Sequence, residues 1–179
     1  VVTIRGAAGL SVHNATGGKA MAAGQVISEA LMNYAPDTTL LPNLVQEVPT
    51  QENGLLADDL STVTFNLLPD ILWSDGEPFT AEDVVFTWEW NVDPANQSID
   101  RVSWEIISAV EAVDDLTVQV TFAEPTIGWF QPFASNIGVI YPKHFWDGKD
   151  AAEANAEFMN APIGTGAYVL EELRVNDQV

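Results

Sequence analysis

Carboxylates and tryptophans are the side chains in this sequence best suited to chemistry. Asp75, Glu89 and Glu105 stand near Trp73, Trp88 and Trp104. Paired carboxylates beside aromatic platforms are what glycoside hydrolysis uses, one as acid and one as base or nucleophile. Nothing in their spacing sets the fixed separation that this reaction needs, and Asp75 has a turn role of its own. Ser74 lacks the G-x-S-x-G elbow of a serine hydrolase. His13 and His144 lie far apart in the chain, and no H-E-x-x-H or EF-hand loop accompanies them. Gly164-Thr165-Gly166 is a lone G-x-G without the Lys-Ser/Thr of a phosphate loop, and reads as a tight turn. The pairs Asp58-Asp59 and Asp114-Asp115 read as turn residues. No enzyme, metal site or cofactor is expected.

Composition narrows the classes further. The chain has 179 residues, 47% of them apolar, with six Trp and no Cys. It can bury a core, and it has neither disulfides nor thiolate metal sites. Its 26 acidic and 6 basic residues give a net charge of −20. Nucleic acid and anionic membrane surfaces both require basic clusters, so neither is an expected partner. The charge fits a solvated acidic surface, adaptation to high salt, or attraction of cationic ligands; composition leaves these open. No apolar run is long enough to span a bilayer.

Residues 73–92 are the most heavily specified element. Ser74-Asp75-Gly76 is turn chemistry. Pro78 stiffens the approach to Thr80, the expected N-cap, and Glu82 and Asp83 meet the positive end of the helix dipole. Phe79 and Val84 occupy the staple positions. The helix should run to about Asn91, with Val84, Val85, Trp88 and Val92 as its core stripe, closed by Asp93-Pro94.

Elsewhere, alternation predicts strands at Thr62–Leu68 (Val63, Phe65 and Leu67 inward), at about Ile106–Val113, and at Thr117–Phe122. The last two are joined at Asp114-Asp115. Val1–Ile4 and Tyr168–Arg174 also read as strands. Residues 20–34 have helical spacing, with Val26, Ile27, Ala30, Leu31 and Tyr34 on one face. Residues 37–61 read as irregular with a turn at Asn53-Gly54, residues 126–139 as a short helix and loop, and Ala151–Met159 as a helix. Strands and helices mix without regular βαβ alternation, so the expected class is α+β.

These elements carry a resemblance. Trp73-Ser74-Asp75-Gly76-Glu77-Pro78-Phe79-Thr80-Ala81-Glu82-Asp83-Val84-Val85-Phe86 closely resembles the signature of the extracellular solute-binding proteins that serve peptide ABC transporters, family 5. In the family's order, Ile27-Ser28-Glu29-Ala30-Leu31 is similar to its I-x-E-x-L. Pro36-Asp37 through Leu41-Pro42-Asn43-Leu44 is similar to its P-D-G-x-L-x-P-x-L-A. Asp114-Asp115-Leu116-Thr117-Val118 resembles D-D-x-T-V, and Tyr141-Pro142-Lys143-His144 resembles V-P-K-H. Pro162-Ile163-Gly164-Thr165-Gly166-Ala167-Tyr168 resembles P-V-G-T-G-P-Y, departing from it at Ala167.

The resemblance implies a two-lobed periplasmic-type binding protein of which this chain is an N-terminal fragment. Residues 38–161 would be the small extra α+β domain, and residues 1–37 and 162–179 incomplete parts of the ligand-binding first lobe. It further implies capture of extracellular peptides and their delivery to the transmembrane subunits of an ABC permease, by an exported monomer that is periplasmic or at the cell surface, a lipid anchor being one means of attachment. Within the family an oligosaccharide or another solute is the alternative; outside it, a glycosidase or an acidic interaction module. Ligand contacts are expected at Ala7, Ala8, Gly9 and Leu10, where small residues admit a peptide backbone, and at Trp129 and Phe130, which could also be core. The L-N-P element near the first site is present only as Val12-His13-Asn14.

Overall fold

The computed structural model describes residues 24–171. The expected strand at Val1–Ile4 and the contact residues Ala7, Ala8, Gly9 and Leu10 lie outside them.

The first predicted strand forms as β3, Thr62–Asn66, with Val63 and Phe65 facing the core. The following hairpin forms as β4, Ile107–Asp114, and β5, Thr117–Phe122. They assemble into an antiparallel sheet in the order β3-β5-β4, with Phe65 opposite Val118 and Val63 opposite Val120. Alternation works here because one face of the sheet packs on a helix while the other carries Thr and Gln. In β4 the register slips between Ile107 and Ala109 and again between Ala112 and Asp114. Such bulges add twist and explain why β4 alternates less cleanly than its partners.

Helix α1, Ala81–Val92, starts at Thr80 as expected and packs on β4 and β5. Its buried surface is wider than the predicted stripe. Val84 is fully buried, whereas Val85, Trp88 and Val92 are only partly buried against the main core. Phe86 and Trp90 point instead into a second cluster, with Tyr141, Trp146, Ala154 and Phe158. The helix is sandwiched because residues 141–158 return over its other side, a long-range event that periodicity within one segment does not encode.

That second cluster is aromatic. Trp146 packs edge-on against Trp90 and Tyr141 with ring centroids 5.1 and 4.6 Å apart, and meets Phe158 at 5.2 Å. It is closed by two short helices, α3 (Lys143–Trp146) and α4 (Ala151–Asn160). Asp150 caps α4 by accepting from the amides of Ala152 and Glu153. A further short helix, α2, spans Arg101–Trp104, and 3-10 turns occupy Pro94–Asn96 and Gln131–Phe133.

The predicted helix over 20–34 is corrected. Hydrogen bonds from Ile27 and Ser28 to Gly24 close a turn, and Met32–Tyr34 is a strand, β1, paired with β2 at Leu40–Pro42. Ala30 bridges Val139 and Met32 bridges Ala134. Ile27, Ala30 and Leu31 are buried as expected, but Tyr34 is exposed. Pairing with residues a hundred positions away outweighs the local helical period. The residues of the last expected strand that are described, 168–171, are not in a sheet. Taken together the elements are α+β, as read from the sequence.

Leu31 and Met32 belong to the same core as Val63, Phe65, Trp104 and Phe133, and Ile163 packs against it as well. Packing therefore runs across residues 37/38 and 161/162 without a break.

Candidate functional site

Three of the motifs singled out in the sequence meet at the start of α1. The turn after Trp73 forms: Gly76 adopts φ +96°, its amide bonds Trp73 O, and Asp75 accepts from Glu77 N. At the helix start Thr80 and Asp83 make a capping box, of which the carboxylate half is well formed, Thr80 N donating to Asp83 Oδ2 at 2.9 Å. Asp83 does more than cap. Its Oδ2 also accepts from Trp73 Nε1 at 3.3 Å, and its Oδ1 accepts from Lys143 N at 2.8 Å. One carboxylate thus ties the Trp73 turn, the helix start and the Tyr141–His144 segment together.

Asp83 is only 3% exposed. Burial pushes its carboxyl above the ordinary aspartate range, against the three hydrogen bonds that favour the charge. One helical turn on, Thr87 donates to Asp83 O at 2.7 Å and accepts from Tyr141 N at 2.9 Å. Asn91 then donates to Thr87 O. A ladder of buried polar side chains along α1 therefore fastens residues 141–143. On the outer side His144 Nε2 lies 2.8 Å from Asp75 Oδ2, and Lys143 pairs with Glu82. For Asp75, burial works to raise the carboxyl, but the bonds from His144 and Glu77 outweigh it and hold it below the usual range.

The glycine motif closes the joint from the other side. Ser74 N donates to Gly164 O at 2.9 Å, and Gly166 N donates to Ile27 O at 2.8 Å. A Cβ on Gly164 would fall 2.0 Å from Ile27 O, and one on Gly166 2.6 Å from the same atom. Only glycine permits this approach of two backbones. Thr165 between them donates to Glu29 Oε2 at 3.0 Å. Residues 165–167 form a bend rather than the tight turn expected over 164–166, and the two glycines are needed because they press onto the Ile27–Glu29 segment.

The residues cast as catalytic are not gathered. Asp75 sits in this joint, Glu105 pairs with Arg101 at 2.7 Å, and Glu89 lies on the exposed side of α1. Trp73 and Trp104 are core residues. Among the described residues no group of three or more His, Asp or Glu is placed to hold a metal ion.

Trp129 and Phe130 stand in the segment between β5 and the Gln131–Phe133 turn. Trp129 is 7% exposed and its ring lies 6.4 Å from Phe65. Phe130 is half-buried, edge-on to Trp129 at 5.7 Å and to the exposed Tyr34 at 6.4 Å. Sequence reasoning placed Asp83 in the first helical turn but missed its capping bond and its links to Trp73 and Lys143, and it missed Thr87 and the Glu29–Thr165 contact. The T-x-x-D spacing of Thr80 and Asp83 was the available signal for the first, since it writes a capping box.

The chain matches the model described as bacterial extracellular solute-binding proteins, family 5 Middle, over residues 42–179, and it belongs to that family. It is 31% identical over 142 residues to the periplasmic oligopeptide-binding protein OppA of Escherichia coli, covering 68% of this chain and 25% of that protein. The crystal structure of NikZ from Campylobacter jejuni in complex with Ni(L-His) superposes with a TM-score of 0.72 at 28% identity, covering 85% of this chain and 28% of that one. The oligopeptide-binding protein AppA of Bacillus subtilis, solved with a nonapeptide, has the same fold, with a TM-score of 0.83 at 19% identity over 97% of this chain and 34% of that one. The chain thus spans about a quarter to a third of these relatives' length. Among the described residues no helix is long and apolar enough to cross a membrane.

Proposed function

We propose that this chain is part of the substrate-binding component of an ABC importer for peptides. The observation that carries the reading is the family membership together with the name of the E. coli relative, an oligopeptide-binding protein. In this reading residues 38–161 are the small domain of the binding protein, and residues 1–37 and 162–179 are portions of its first lobe. The action is non-catalytic: solute binds between two lobes, the lobes close, and the closed form docks on the permease. Ligand drives closure only through its greater affinity for the closed form.

Peptide backbone would be met at Ala7, Ala8, Gly9 and Leu10. Any contact from the 129–130 region would come through half-buried Phe130, with Trp129 behind it. The protein would be exported, monomeric, and periplasmic or held at the cell surface, where a lipid anchor is one means of attachment. A second reading keeps the transport role and changes the cargo, and the Ni(L-His) held by the C. jejuni structure favours it.

The test is native purification of the full-length parent protein, with release and mass spectrometry of co-purified ligand. A ladder of short peptides is the expected result. A sugar or a metal complex would replace peptide as the substrate, and turnover of the released ligand would overturn the binding-protein reading.

A further inference from the structure

The acidic surplus is larger than the fold uses. Many of the described carboxylates have a local task. Asp37, Asp59, Asp93, Asp114 and Asp150 accept backbone amides at turns and caps. Asp83 and Asp75 hold the joint, and Glu29 holds Thr165. The described lysine and arginine side chains, Arg101, Lys143 and Lys149, are already paired with Glu105, Glu82 and Glu157.

A second set has neither a cation nor a cap to serve. The side chains of Glu52, Asp58, Glu77, Glu111, Asp115 and Glu124 are exposed and make no hydrogen bond or ion pair among the described residues. They are spread over the surface rather than gathered at one point: in the loop before β3, the turn before α1, the β4–β5 hairpin and the segment after β5. Asp58 and Asp115 stand in turns, as read from the sequence, but their carboxylates bond no backbone amide there, and a net charge of −20 on 179 residues exceeds what solubility needs. Charge of one sign at this density repels itself in the compact state more than in the expanded chain. Cations in the medium screen that repulsion, with a Debye length that falls from about 10 Å at 0.1 M to about 3 Å at 1 M.

We infer that concentrated salt stabilises the folded state, and that the protein works in a saline medium in which hydrated monovalent cations balance its dispersed acidic shell. This concerns the stability of the chain and does not rest on its being a peptide transporter.

The experiment follows the thermal midpoint of the 179-residue chain by circular dichroism, from about 0.02 M to about 3 M KCl, over which the Debye length falls from about 20 Å to about 2 Å. The same series is run on a variant with the second set neutralised, Glu52→Gln, Asp58→Asn, Glu77→Gln, Glu111→Gln, Asp115→Asn and Glu124→Gln. The wild-type midpoint should climb by on the order of 10 °C or more, equivalent to a few kcal/mol for a chain of this size. The variant should start higher and climb by less than half as much. A wild-type midpoint that is flat in salt overturns the inference whatever the variant does. So does an equal climb in both proteins, since that would reflect a general effect of salt on apolar burial rather than charge. A salt-dependent ligand affinity with a flat midpoint would also count against it.

Discussion

Replacing Asp83 with Ala removes the acceptor for three donors at once, and its cost can be worked from the geometry. Trp73 Nε1 loses its partner in a buried place, while Lys143 N and Thr80 N are part-buried and can partly recover water. An unsatisfied buried donor costs about 1–3 kcal/mol, so the Trp73 donor, with about 1 kcal/mol each for the part-buried Lys143 amide and the lost cap, comes to about 3–5 kcal/mol. The energy returned by no longer burying a carboxylate reduces this, which places the expectation near the lower end. For a chain of this length each kcal/mol moves the midpoint by about 2–4 °C, giving a fall of about 10 °C. Thr80→Ala is the control, because its hydroxyl serves only the helix start and should cost about 1 kcal/mol. Thermal and urea unfolding, followed by tryptophan fluorescence and circular dichroism, give both numbers. If Asp83→Ala unfolds no earlier than Thr80→Ala, Asp83 is only a cap, and the claim that it binds three segments together is wrong.

Gly164→Ala should destabilise by about 3 kcal/mol, because its Cβ would overlap Ile27 O and both partners are backbone; a midpoint within error of wild type would show the contact to be loose. Trimming the chain to residues 38–161 should leave a species that is proteolysed rapidly and unfolds without cooperativity, since Leu31 and Met32 leave the core and Ile163 with them; a cooperative transition would show that the inner segment folds alone. Asp100 gives a pH dependence: burial lifts its carboxyl to about 6 from an ordinary value of 3.8. A raised folded value means that the native state holds the proton more tightly, so this contribution is full below 3.8 and is lost as pH rises through about 6. Asp100→Asn should therefore narrow the gap in midpoint between pH 5 and pH 7, and an unchanged gap would place the titrating group elsewhere. Asp37, Asp59 and Asp114 act in the opposite sense, because hydrogen bonds from Thr39, Ser61, and Leu116 with Thr117 hold them below the usual range. Their stabilisation is present above 3.8 and fades as pH falls through the lowered values, so neutralising all three should lower the neutral-pH midpoint and narrow its distance from the acid one, and an unchanged distance would place the titrating groups elsewhere.

The parts of this fold that could be read from sequence are those whose signal is local. Val63-x-Phe65-x-Leu67 and Val118-x-Val120-x-Phe122 face one core, and a period of two survives any detail of what lies opposite. The start of α1 was legible because Thr80, Asp83, Phe79 and Val84 each vote for the same boundary. Residues 27–34 failed for the opposite reason. Ile27, Ala30, Leu31 and Tyr34 present a helical period, but Ala30 and Met32 are held by Val139 and Ala134. Phe86 and Trp90 were left out of the predicted helix stripe because their partners, Tyr141, Trp146 and Phe158, arrive from far down the chain.

The same distinction explains why family and ligand are unequally visible. The motifs that carry the family are joints: Asp83 binds the Trp73 turn to Lys143, and Gly164 and Gly166 clamp Ile27. A joint tolerates few residue types, because a lost acceptor or an added methyl acts directly on stability, whatever the protein carries. A surface that meets solute is constrained by that solute alone. Proteins similar to this chain carry printed cargoes as different as an oligopeptide and Ni(L-His). The signature from Trp73 to Phe86 thus specifies how the unit is held together, and the cargo must be sought in residues outside the joint.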